Sequence, residues 1–511
     1  MLVPGVLAVL APVVLLCVLP LRAACEEGEV WLPYHSLAIG GGGFTTGIVP
    51  TPRSASGTST VFTRTDVGGV YRLGEDKDTW MPLVDQLTYR DRNRYGGDAI
   101  AVSWTNASRV WVSLGAYFDE PGPVLILASE SAGDGWRPIS PPGWSVRGGA
   151  NNSTLRSLGE RLAVHPKDER ILIYGSYLNG LWRTSDADQP APKWGKVALF
   201  PAGPFGALAV AFDPSSPRGD TVYASVPTKS VFVSTDAGVT WRSLATAGTA
   251  PAFANRLALA LAYAPGPRST AVVATESGSP VFASAADGVY RYNGTVWEKM
   301  RLPQGDVEIT GIDVNPFDHL DVIAISNKAE GIARTLNGGE SWVNAMPEYR
   351  QVYELPWWDD SFRHNATVVN FTFGMCGNVR FSTAPMADPA RTPAVYLADS
   401  WNVWRSDDFG KVKIATLRQM PHGHEEVFVL SMAAPHTTRP SLVTGTADLA
   451  GLVHDGPDWN AYPNFTFFGF GAWGAEGTGV AYTEDVLRLD AETTVPRSIV
   501  VAQARVFLTW A

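Results

Sequence analysis

The chain has 511 residues, a formal net charge of −10 and only 18% charged residues, set against 50 Gly, 37 Pro and 18 Trp. That length exceeds one ordinary domain unless a repeat architecture absorbs it, and an acidic chain without a Lys/Arg block argues against nucleic acid as a partner. The glycine, proline and tryptophan content suits many short strands joined by tight turns.

Residues 2–21 are almost wholly apolar, and Arg22-Ala23-Ala24-Cys25 then gives way to Glu26-Glu27. This reads as a secretory signal over residues 1–24, so a secreted, extracellular protein with no membrane attachment after cleavage is expected. Seven Asn-x-Ser/Thr sites, at Asn106, Asn151, Asn152, Asn293, Asn365, Asn370 and Asn464, favour the same route. Cys17 leaves with the signal, so at most Cys25 and Cys376 could pair. No Cys/His spacing suggests zinc, and neither metal nor cofactor is expected.

The stretch Arg64-Thr-Asp-Val-Gly-Gly-Val70 returns far along the chain as Thr446-Ala-Asp-Leu-Ala-Gly-Leu452. Each places an aspartate, Asp66 or Asp448, where a β-type run breaks into a turn. By itself such an aspartate reads as a turn cap, but two carboxylates are also what glycosidic bond cleavage needs, one as acid and one to activate water or attack the sugar.

Between these two stretches runs a repeat. Its clearest copy is Ser234-Thr-Asp-Ala-Gly-Val-Thr-Trp241, an Asp box, in which Asp236 can bond turn amides, Gly238 can take positive φ and Trp241 can pack inward. Looser copies run from Tyr71 to Trp80, Ser129 to Trp136, Trp182 to Trp194, Gly288 to Trp297, Arg334 to Trp342, Trp404 to Lys413 and His454 to Trp459. Asp186, Asp236 and Asp408 are therefore read as structural. The spacings are those of four-stranded propeller blades. Asp66 precedes the first box and Asp448 the eighth, which predicts an all-β chain with a seven-bladed β-propeller over 36–418, followed by an incomplete second propeller over 419–511. A complete second ring would need on the order of 300 further residues.

These segments resemble the xyloglucanases of glycoside hydrolase family 74, built from two tandem seven-bladed propellers with the cleft between them. The likeness is carried by Gly40-Gly-Gly-Gly-Phe-Thr-Thr-Gly-Ile-Val49, Arg64 to Arg72, Gly159-Glu-Arg-Leu-Ala-Val164, Asn179-Gly-Leu-Trp-Arg183, Gly423-His-Glu-Glu-Val427 and Ala447 to Asp455. It implies Asp66 as general base and Asp448 as general acid, in endo-hydrolysis of the β-1,4-glucan bonds of xyloglucan with inversion. Inversion needs carboxyl groups roughly 6.5–9.5 Å apart, and an acid that keeps its proton at working pH. A monomer acting on a polysaccharide is expected, with Tyr117, Trp144, Trp357 and Trp358 as sugar-stacking candidates in loop-like stretches beside Gly or Pro. The second motif departs from the family pattern at Ala450, where the family carries glycine, and at Leu452, where it carries an aromatic; a positive φ at 450 would cost alanine about 1 kcal/mol. His424-Glu425-Glu426 reads as a blade strand lending one glutamate to the cleft rim. Two other readings compete: a catalytically inactive Asp-box propeller that binds glycans or protein, and a sialidase, for which no triad of arginines or tyrosine nucleophile is marked.

Overall fold

The computed structural model describes residues 38–505, apart from 116–122, 149–158, 199–205, 245–257, 262–280, 327–331, 355–377, 385–391, 434–441, 447–450, 455–463, 466–475, 482–499 and gaps of one to three residues. Residues 45–82, 97–138, 162–196, 209–243, 258–299 and 309–344 each form a four-stranded antiparallel meander. A seventh sheet over 348–419 has five strands: the outermost, Glu348–Val352, runs parallel to Ile414–Gln419 and covers that blade's outer edge. The expected seven-bladed all-β propeller is what the chain forms. An eighth sheet over 429–465 and a hairpin of Glu476–Ala481 with Val500–Arg505 follow.

The composition explains the stacking. Each second strand, such as Val110–Leu114, Leu172–Ser176, Val222–Val226, Val281–Ala285 and Val322–Ser326, is buried along its whole length. Such a strand lies between two neighbouring blades, so it is built of aliphatic and aromatic residues with Ser and Gly, without polar alternation. Outer strands shrink to exposed pairs such as Arg242–Ser243 and Val343–Asn344, which leaves little unpaired edge.

In blade 1, β1 (Thr45–Pro50), β2 (Val61–Thr65), β3 (Val70–Leu73) and β4 (Trp80–Pro82) are laid out from the centre outward. The innermost strand of blade 7, Asn378–Phe381, lies beside β1 and closes the ring. Ile48, Val61, Tyr71, Leu73 and Trp80 of blade 1 there form one buried cluster with Tyr396, Ala398, Val403 and Met420.

The Asp box is a hairpin built on one carboxylate. Asp236 accepts from the Val239 and Thr240 N–H groups at 3.1 and 2.8 Å, from the Thr240 hydroxyl at 2.6 Å and from the Ser234 hydroxyl at 2.7 Å. Ala237 and Gly238 sit at φ 55° and 86°, and the buried Trp241 donates its indole N–H to Gly238 O at 3.0 Å. Asp186, Asp408 and Asn337 accept amides in the same way from Lys193, Thr416 and Ser341. Asp236→Ala should cost about 1–2 kcal/mol in urea unfolding, since it orphans two turn amides. Asp407→Ala, which removes a carboxylate 70% exposed and paired with Arg405, should stay within about 0.5 kcal/mol.

The signal segment 1–24, Cys25, Cys376, Asn151, Asn152, Asn365 and Asn370 lie outside the described residues. Of the remaining predicted glycosylation sites, Asn293 uses its side chain in a turn: its carbonyl accepts from Thr295 and Val296 N–H, and its amide donates to Glu298.

Candidate active site

Asp66 opens the turn between β2 and β3. Its N–H donates to Phe44 O at 3.1 Å, and the turn is closed by Thr65 N–H to Gly69 O at 3.0 Å and Gly68 N–H to the Thr65 hydroxyl at 3.0 Å. Two residues earlier the side chain of Arg64 is fully buried. It donates to Glu160 at 2.9 Å, to the Thr46 hydroxyl at 2.8 Å and to Gly159 O at 2.9 Å. Glu160 in turn accepts the Ile100 N–H at 2.8 Å. The strand that delivers Asp66 is thus tied to blades 2 and 3 by a satisfied buried ion pair.

The other side of Asp66 is formed by residues that follow the ring. The segment 421–427 runs back over blade 1 as a strap. His422 O and Met420 O accept from the backbone and indole N–H groups of Trp80 at 2.7 and 2.9 Å. Gly41 N–H donates to His424 O, and Tyr71 donates to Glu425 O at 2.6 Å. The Glu425 carboxyl accepts from Ile39 and Gly40 N–H at 2.8 and 3.1 Å. Glu426 reaches the Val67 N–H at 3.5 Å and lies against the Asp66 carboxyl.

This overturns the expectation that His424-Glu425-Glu426 forms a blade strand. Among the described residues the strap's strand-type pairing is limited to an isolated bridge between Gly41 and Glu425, and its other polar groups meet Trp80, Tyr71 and Val67 of blade 1 singly rather than as a ladder. His424 is fully buried, with its ring centroid 4.9 Å from that of Tyr71 and neither ring nitrogen hydrogen-bonded among the described residues; burial depresses its pKa to about 4. For Glu425 burial outweighs the two backbone donors and raises the pKa to about 7. Burial and the neighbouring Asp66 charge push Glu426 well above the ordinary carboxylate range.

Blades 2 and 3 are joined by a second buried pair. Asp98 accepts from Arg161 at 2.7 Å, the Tyr174 hydroxyl at 2.8 Å and the Ser113 hydroxyl at 3.2 Å. Burial and the Asp98 charge hold the Tyr174 phenol well above its usual pKa.

No family profile matches the chain. It is 29% identical to the xyloglucanase Xgh74A of Acetivibrio thermocellus across 87% of this chain and 55% of that protein, and 25% identical to the oligoxyloglucan-reducing end-specific xyloglucanase of Emericella nidulans across 82% and 57%. Its fold superposes on the crystal structure of a Niastella koreensis family 74 enzyme with a TM-score of 0.69 at 23% identity, covering 88% of this chain and 64% of that one. The chain is similar in sequence to these xyloglucanases, and its fold is the β-propeller of that family 74 enzyme. The chain spans little more than half the length of the curated relatives it matches.

Of the predicted site residues, Asp66 lies in the described part of the propeller and is half-buried beside the strap. Asp448 lies outside the described residues. Tyr117, Trp357 and Trp358 also lie outside. Trp144 is packed in the cluster between blades 2 and 3, with ring centroids 5.4 Å from Trp182, 5.5 Å from Trp194 and 6.2 Å from Tyr174. Ala450 lies outside the described residues as well. In the first motif the positive φ of 95° belongs to Gly69, which matches Gly451, whereas Gly68, which matches Ala450, has no positive φ.

Sequence reasoning left Arg64 and Glu160 without a role and gave the strap glutamates only a place at the cleft rim, although each stands in a segment carrying the family likeness. Glu425 offers a direct test of the strap. A carboxyl raised from 4.5 to about 7 by folding costs stability progressively as pH rises through that window, and the cost is constant above it. Glu425→Gln keeps the acceptor for Ile39 and Gly40 but cannot ionise. Its unfolding free energy should match the parent near pH 4.5 and exceed it by about 2–3 kcal/mol above pH 7. Parallel pH curves for the two proteins would contradict this.

Proposed function

We propose that the chain is a secreted glycoside hydrolase that cleaves the β-1,4-glucan bonds of xyloglucan with inversion at the anomeric carbon, acting as a monomer. Asp66 is the general base that takes a proton from the attacking water, and Asp448 the general acid that protonates the leaving oxygen. Tyr117, Trp357 and Trp358 are proposed to contact the sugar chain.

One observation carries this reading: segments distant in sequence, around Gly40, Arg64, Glu160 and Glu425, converge on the turn bearing Asp66. A turn cap needs only its own loop amides, as Asp236 illustrates. Asp66 instead has a buried ion pair behind it and a buried carboxyl beside it, a costly arrangement that suits a tuned catalytic group. The relatives named xyloglucanase supply the substrate class.

The test is incubation of the purified protein with xyloglucan, following oligosaccharide release by chromatography and the anomer first formed by proton NMR. The α-anomer is expected first, with release abolished by Asp66→Asn and by Asp448→Asn. No release by the parent would favour a non-catalytic glycan-binding propeller, and a first-formed β-anomer would refute inversion.

A further inference from the structure

The hydrolytic reading gives Glu426 no task, yet Glu426 is the side chain that meets Asp66. It is 5% exposed, and glutamate is rarely buried without a partner. One oxygen, Oε1, faces the N–H of Val67, the residue after Asp66. The other, Oε2, is sealed from solvent and has no hydrogen-bond partner among the described residues, although the Thr65 hydroxyl also stands beside the carboxyl.

The turn is shaped to receive this side chain. A Cβ at Gly68 would stand 2.6 Å from Glu426 Cγ and 3.0 Å from Glu426 Cβ, so any larger residue there would expel it. The strap cannot easily carry Glu426 away, because the preceding residue is held by Ile39, Gly40 and Tyr71. Two adjacent carboxyls resist ionising together, and the buried one, Glu426, is the one that keeps its proton. A proton on Glu426 leaves Asp66 charged and gives the donorless oxygen a hydrogen bond to make.

We propose that Glu426 is a positioning residue whose protonated carboxyl donates to Asp66 and fixes that carboxylate in the orientation that takes a proton from water. The proposal rests on Asp66 being the base. During the reaction Asp66 gains the water proton while Glu426 keeps its own, so Glu426 is neither acid nor base in the chemical step. The strap thereby makes the chain leaving blade 7 part of the site on blade 1.

The experiment pairs kinetics with infrared spectroscopy of the whole protein. Glu426→Ala should lower kcat on xyloglucan roughly 100-fold, the effect of a misplaced reacting group, with KM little changed. The acid limb of its pH profile should move to higher pH, because Asp66 has lost a donor to its charged form. Glu426→Gln, whose amide can still donate, should restore most of kcat. Wild-type kcat and an unmoved pH profile in Glu426→Ala would overturn the proposal.

The second readout does not depend on activity. Above the range in which Glu425 titrates, about pH 7, the infrared spectrum should show a protonated carboxyl band that persists in Asp66→Asn and is lost in Glu426→Gln. A band that persists in Glu426→Gln would place the proton elsewhere and overturn the proposal. Failure of the parent to cleave xyloglucan would refute the hydrolase reading instead, and the band would still decide which carboxyl holds the proton.

Discussion

Asp66→Asn is expected to slow oligosaccharide release from xyloglucan by a factor of roughly 10²–10⁴, the usual contribution of a positioned general base. The substitution is nearly isosteric. The turn is closed by backbone and Thr65 contacts that do not use the carboxylate, so the thermal midpoint should stay close to that of the parent. Asparagine cannot accept the water proton, and the loss should fall on kcat rather than KM. Unchanged kcat together with a lowered midpoint would instead mark Asp66 as a turn cap and remove it from the mechanism.

The largest effect on stability is expected from Asp98→Ala. Asp98 and Arg161 have side chains only 2% and 1% exposed, and Asp98 also takes the Tyr174 and Ser113 hydroxyls. Truncating it leaves a buried guanidinium without its counter-charge and two hydroxyls without an acceptor, a change that costs about 3–5 kcal/mol. The loss should appear as a lower urea midpoint. The double variant Asp98→Ala/Arg161→Leu should recover part of it, because the stranded charge is then gone. A loss below about 1 kcal/mol in the single variant would show that water reaches Arg161 or that another group compensates it.

Much of the fold was legible because its signals are local. Asp236 caps amides three and four residues ahead, and Gly238 and Trp241 complete a hairpin whose parts all lie within eight residues, Ser234 to Trp241. Repeated at blade-length intervals, the motif marks seven sheets without any knowledge of their packing. Residues such as Asp186 and Asp408, read as structural, cap amides as expected. Trp144 was harder to read: beside a Pro-Gly turn it looks like an exposed loop aromatic, but its ring meets Trp182 and Trp194 from blade 3 once those sheets stack.

The strap shows where local reading fails. His424-Glu425-Glu426 was expected as a blade strand, but a strand needs a neighbour, and this segment spends its polar groups on residues more than 350 positions earlier. Nothing in the residues themselves announces that pairing. The role of Gly68 was concealed in the same way. Its bareness follows from the approach of Glu426, whereas the backbone demand for glycine falls on Gly69.

Strand content, turn chemistry, the number of blades and the candidacy of Asp66 follow from the order of amino acids, because each depends on groups a few residues apart whose hydrogen bonds form wherever the chain is. The ring's closure, the Arg64–Glu160 tie and the meeting of Asp66 with Glu426 were decided by tertiary structure. The cost of ionising a carboxyl is set by what surrounds it, and here the surroundings come from opposite ends of the propeller.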